Sequence, residues 1–192
     1  MRKIIKKFTE MLRSGNTEAV EKNINKMQHE SSWEGIIIPE EWRNYFVIIQ
    51  APKNWTFHYT EWENADKGCH GEIMMQEGEK IKCHVRHYLG GTGIAAGLKP
   101  GEDEDPVKIL NCLGAETAKE GYAAAEPVQE KEGYVLQKWT KEGAASRLLG
   151  VKTHELYDKG ITFYLAYDFT ASEEELEKQT ETIHKIVSFA TR

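Results

Sequence analysis

Apolar residues near the start of the chain recur at helical spacing. Ile4, Ile5, Phe8, Met11 and Leu12 hold an i, i+1, i+4, i+7, i+8 pattern. Gly15-Asn16 then supplies a stop and a new start, and Val20, Ile24 and Met27 form a second stripe. A helical hairpin over residues 1–32 is expected. Its stripes are narrow and its outer faces charged, so it suits docking on the main body or self-association into a homodimer. From Trp33 onward the apolar period shortens from 3.6 to 2. Tyr45 to Ile49 is a continuous apolar run bounded by Pro52, and Trp55, Phe57 and Tyr59 alternate with polar neighbours, so both read as strands.

Residues 71–76 and 80–89 flank Glu77-Gly78-Glu79 and read as a hairpin. Ile81, Cys83, Val85, His87 and Leu89 fall on one face, with Lys80, Lys82, His84, Arg86 and Tyr88 on the other. Residues 90–105 are rich in glycine and acid and hold Pro100-Gly101, the composition of a long loop. Asp105-Pro106 then supplies an N-cap and first-turn proline for a short helix ending near Leu113. Residues 134–140, 144–157 and 161–169 are three strands in meander, joined by Lys141-Glu142-Gly143 and Asp158-Lys159-Gly160. Ser172-Glu173-Glu174-Glu175 is a capping box opening a C-terminal helix whose inner face carries Leu176, Ile183, Val187 and Ala190. The fold class expected is α+β: an antiparallel sheet over residues 33–192 with a middle and a C-terminal helix packed on it, and the helical hairpin of residues 1–32 as an appendage.

Composition narrows the function. A chain of 192 residues with 40% hydrophobic residues can bury a core without metal or disulfide. A net charge of -6 argues against nucleic acid as partner, because phosphate binding needs a concentrated positive field. The one basic cluster, Arg2, Lys3, Lys6 and Lys7, lies on an amphipathic segment better suited to packing on protein than to a membrane. Thr9, Glu10, Arg13 and Ser14 interrupt any secretory leader, and no apolar run reaches membrane-spanning length. Three cysteines, Cys69, Cys83 and Cys112, suit a reducing compartment, so the cytoplasm is expected.

Three constellations bear on chemistry. Cys69, His70, Cys83, His84 and His87 form a Cys/His-rich hairpin, but adjacent strand residues point to opposite faces, so Cys83 and His84 cannot share one ion. Turning about Gly78 brings Cys69 roughly opposite His87, half a metal site without a third and fourth ligand, and ordinary sheet packing is the stronger reading. The loop carrying Gly91 and Gly93 has G-x-G-x-x-x-G spacing, opens no helix and precedes Glu102-Asp103-Glu104-Asp105, so it suits partner binding better than a dinucleotide. Trp33, Trp42 and Trp62 stand beside charged residues at segment ends and are candidate anchors for a partner. No G-x-S-x-G, H-E-x-x-H or P-loop is present, and no catalytic residue and no cofactor is assigned.

The order strand, strand, hairpin, helix, meander, C-terminal helix resembles the PsbP-like superfamily, which includes Ran-binding Mog-type and DcrB-like proteins. The resemblance spans about residues 45–190. It is carried by Ala51-Pro52-Lys53-Asn54-Trp55, by Ile161-Thr-Phe-Tyr-Leu-Ala-Tyr-Asp168, by Glu173-Glu-Glu-Leu176 and by Ile183-His-Lys-Ile-Val-Ser-Phe189. It implies a central antiparallel sheet sandwiched by helices and used as a platform for binding proteins rather than for catalysis, in the manner of an adaptor or chaperone. The competing expectations are a small-ligand or metal-binding protein using Cys69 and His87, and an enzyme whose site shows no linear motif.

Overall fold

The computed structural model describes residues 33–40, 45–60, 69–89, 105–131, 133–156 and 161–188. The helical hairpin expected over residues 1–32 lies outside them. The described residues form ten strands and three helices, so the α+β expectation holds. Strands β1 (Trp33–Glu40) and β2 (Tyr45–Pro52) make a two-stranded antiparallel sheet. A larger antiparallel sheet takes β3 (Thr56–Thr60), β4 (Cys69–Glu77), β5 (Ile81–Leu89), β8 (Tyr134–Thr140), β9 (Ser146–Leu156) and β10 (Ile161–Ala171). The short β6 (Ala123–Ala124) and β7 (Gln129–Lys131) both pair with β8. Its order is β3-β4-β5-β10-β9-β8-β6, which places the expected hairpin β4-β5 beside the expected meander β8-β9-β10.

Strand β10 is the axis of the molecule. Both its faces are covered, so its sequence is nearly all apolar while still alternating in destination. Leu165, Tyr167 and Phe169 enter one core with Ile73, Met75, Cys83 and Val85, closed by Trp33, Ile49, Ala51, Trp55 and the C-terminal helices. Tyr164 and Ala166 enter the other with Val135, Trp139, Leu149, Val151 and the middle helix. A one-residue slip would exchange the two sets, so burial on both sides fixes the register. In that register Cys83 faces Phe169 and His84 faces Asp168.

The middle helix, α1 (Pro106–Lys119), begins as its sequence dictates: the Asp105 carboxylate accepts from the Val107 and Lys108 amides at 2.7 and 3.3 Å. It continues past the end expected near Leu113. Gly114 is not a stop signal; it is the point of closest approach to the sheet, where a Cβ would lie 2.5 Å from Trp139 Cζ2. Gly114→Ala is therefore expected to destabilise. The alanine gains about 1 kcal/mol of helix propensity, but overpacking against a buried indole costs about 1–3 kcal/mol. A lower chemical-denaturation midpoint at unchanged slope is the predicted result.

The C-terminal helix expected as one element is two, α2 (Glu173–Lys178) and α3 (Thr180–Ser188), meeting at Gln179. The Ser172 hydroxyl accepts from the Glu175 amide at 3.2 Å, the cap read from sequence. The Gln179 side-chain Nε2 donates to the Glu77 carboxylate at 2.7 Å, tying the junction to the β4-β5 turn. Lys185 sits 4.3 Å above the Trp33 ring, and the Lys152 ammonium donates to the Ser188 carbonyl at the end of α3.

Between β8 and α3 the Tyr134 hydroxyl lies 2.8 Å from His184 Nδ1. Burial first, and then the Lys131 charge, hold the His184 pKa below its usual value. A histidine whose folded pKa is depressed charges more readily in the unfolded chain, so its contribution is intact above the unfolded pKa of about 6.5 and is lost as pH falls below it. The native chain is expected to lose more stability between pH 7 and 5 than His184→Gln, as read by urea midpoints. Equal losses would contradict this.

Candidate functional site

An α-helix with its side chains is about 10–12 Å across, and neighbouring strands are about 4.8 Å apart, so one helix shields little more than two strands. Helix α1 lies on β8 and β9 and reaches Tyr164 and Ala166 of β10. On β5 the same core takes in Tyr88, 4% exposed and stacked on Tyr164 at 4.9 Å; beyond it, among the described residues no element covers this face of β3, β4 and the rest of β5. That face carries Thr56 and His58 from β3, Glu72, Met74 and Gln76 from β4, and Lys82, His84 and Arg86 from β5. The reverse sides of these strands are core, with Ile73, Met75, Ile81, Cys83 and Val85 fully buried.

The register sets these side chains in rows. His58 pairs with Met74, Met74 with His84, and His84 with Asp168, an unbroken row across four strands. Met74 is 39% exposed and is the exposed large hydrophobic residue among the described residues. It stands between two imidazoles. His84 Nε2 lies 3.3 Å from a Glu72 carboxylate oxygen, and Lys82 lies 3.3 Å from Glu79 in an exposed pair worth little. Arg86 faces Glu72 in register, yet Glu72 turns to His84. Arg86 makes no ion pair among the described residues, and its buried Nε finds no acceptor there.

The site is bounded where Arg147 grips Asp168. Arg147 Nε donates to Asp168 at 3.0 Å, Nη2 donates to the other carboxylate oxygen, and Nη1 reaches Glu120 at 2.7 Å. The Asp168 contact, by hydrogen bond and charge, raises the Arg147 pKa. Lys141 adds a bond to the Glu120 carbonyl at 2.8 Å, so the end of α1 is fixed to β9 and β10. Cys83, behind this face, is inert as a nucleophile: burial, and then the Asp168 charge, push its thiol well above the ordinary range.

The residues singled out in the sequence fall elsewhere. Trp33 is 8% exposed and packs in the core under Lys185 instead of standing out as an anchor, because its large ring closes the gap between β1 and the C-terminal helix. Trp42, Trp62, Gly91 and Gly93 lie outside the described residues. Cys69 pairs with Tyr88, while His87 pairs with Gly71, because a β-bulge lies between Cys69 and Gly71 and shifts the register expected from a simple turn at Gly78. His87 is fully buried. Among the described residues no group of three or more His, Cys, Asp or Glu is placed to hold a metal ion. Met74 and Arg86 were missed because an alternating strand does not reveal which face a helix will leave bare.

The overall arrangement has relatives among solved structures. Cyanobacterial PsbP (CyanoP) from Synechocystis sp. PCC 6803 superposes with a TM-score of 0.52 over 83% of this chain and 92% of that one, at 10% identity. The fold is PsbP-like. LpqN, involved in cell envelope biogenesis of Mycobacterium tuberculosis, aligns over 87% of this chain and 94% of its own at 16% identity, TM-score 0.46. The Saccharomyces cerevisiae Ran-binding protein Mog1p aligns over 83% and 96% at 8% identity, TM-score 0.41. No family model and no curated protein sequence matches the chain. The PsbP-like sheet thus agrees with the resemblance read from Ala51-Pro52-Lys53-Asn54-Trp55 and the residues after Ile161. No helix among the described residues is long and apolar enough to cross a membrane.

Proposed function

We propose that this chain is a non-enzymatic protein-binding module, of the adaptor or chaperone kind, that uses the bare face of β3, β4 and β5 of its PsbP-like sheet. The observation that carries the reading is Met74, an exposed apolar side chain framed by His58, His84, Glu72, Gln76 and Lys82. An apolar centre with a polar rim is the anatomy of a protein interface. Methionine suits its centre, since a flexible, polarisable side chain adapts to varied partners. The rigid sheet behind the face adds support, because binding then orders few groups. A free thiol at the buried Cys83 fits work in the cytoplasm.

Photo-crosslinking tests this reading. A benzophenone amino acid replaces Gln76 on the bare face or Asn111 on the exposed side of α1, and the full chain is irradiated in its native cells. Protein adducts from position 76 and none from 111 are expected. Adducts from 111 alone would move the binding surface to the helix, and none from either position would remove the protein-binding role.

A further inference from the structure

We infer that the bare face is built for an acidic partner segment, one carboxylate of which pairs with Arg86 while a neighbouring apolar side chain seats on Met74. The inference rests on the protein-binding reading above and adds the chemistry of the partner. A chain with 31 acidic and 25 basic residues has carboxylates to spare for every cation. Elsewhere they are used: Lys138 bonds Glu173 and Arg147 holds Asp168 and Glu120. Lys141 and Lys152 donate to backbone carbonyls instead, whereas Arg86 Nε has neither kind of acceptor among the described residues. The nearest carboxylate to Arg86 by register, Glu72, is engaged by His84.

Arg86 Nε is closed to solvent, so a partner carboxylate would meet the guanidinium at its Nη groups, where the planar fork offers two donors to a carboxylate. Lys82, on the same strand and face, adds a second cation, since its contact with Glu79 is exposed and easily exchanged. His58 and His84 contribute imidazole donors beside Met74. Among the described residues of β3, β4 and β5, Glu72 is the carboxylate on this face, and its oxygen already lies 3.3 Å from His84 Nε2. A basic segment would meet two fixed cations with nothing free to pair, so charge selects against it.

Two fluorescein-labelled twelve-residue peptides test this by anisotropy with the full chain: one of Glu, Asp and Ser with a central Leu-Phe, the other with Lys in place of each acid. The acidic peptide should bind, and its affinity should fall as salt rises. Arg86→Gln should weaken it about tenfold or more, the worth of a charge-assisted pair. Lys82→Glu, at an exposed position that leaves folding intact, should weaken it severalfold. Equal binding of the lysine peptide, or an acidic-peptide affinity unmoved by both substitutions, would overturn the inference. If position 76 crosslinks to a protein segment poor in Asp and Glu, the binding module stands and its acidic partner does not.

Discussion

Phe169→Ala is expected to lower stability by about 3–5 kcal/mol, the range for emptying a fully buried aromatic site. Phe169 has no solvent exposure and stacks on Tyr167 with parallel rings 6.2 Å apart. Its register neighbours are Cys83 on β5 and Leu148 on β9, and regular strands on both sides cannot move inward to fill the space. Urea denaturation followed by circular dichroism reads the loss. A cost below about 1 kcal/mol, the range of ordinary surface changes, would mean that the ring is not in the core.

Its neighbour gives the second large effect, on the opposite face of the same strand. Asp168→Ala leaves the Arg147 guanidinium mostly buried with Glu120 as its remaining carboxylate, both members of the original pair having side chains under 15% exposed. Breaking one side of such a pair costs about 3–5 kcal/mol. The lower end is expected here because Glu120 remains. Replacing both members, Arg147→Met with Asp168→Leu, should recover part of that loss, since two buried charges are removed together. A double variant less stable than Asp168→Ala alone would show that the pair contributes more than charge compensation.

These two substitutions divide what the sequence reveals from what it hides. The alternation of Leu165, Tyr167 and Phe169 with Tyr164 and Ala166 announces a strand, and the caps at Asp105 and Ser172 announce helices, because each is a local rule written in adjacent residues. The meander β8-β9-β10 and the hairpin β4-β5 follow from glycine turns at short spacing; Gly78 and Gly143 both take the positive φ those turns need. Less legible are features set by contact between distant segments. One is the close approach of Gly114 in α1 to Trp139, which no local signal records. The break at Gln179 depends in part on Glu77, far away in sequence.

The candidate site was hidden for the same reason. Tryptophans at segment ends look like anchors, yet Trp33 is drawn into the core by the meeting of β1 and α3. Met74 and Met75, adjacent in one strand, point to opposite faces, and the sequence does not tell which face is left bare. Only the position of α1, over β8 and β9 and not over β4, leaves one methionine bare and the other enclosed.

That contrast supplies the most direct measurement. Methionine methyl groups labelled with carbon-13 are observed by NMR while a neutral, soluble paramagnetic agent is added, with Met74 and Met75 assigned by single substitution to leucine. Strong relaxation of the Met74 methyl with the Met75 methyl unaffected is the predicted result. Two equally protected methyls would mean that the face of β3, β4 and β5 is closed in the native chain, and with it the surface on which the binding role depends.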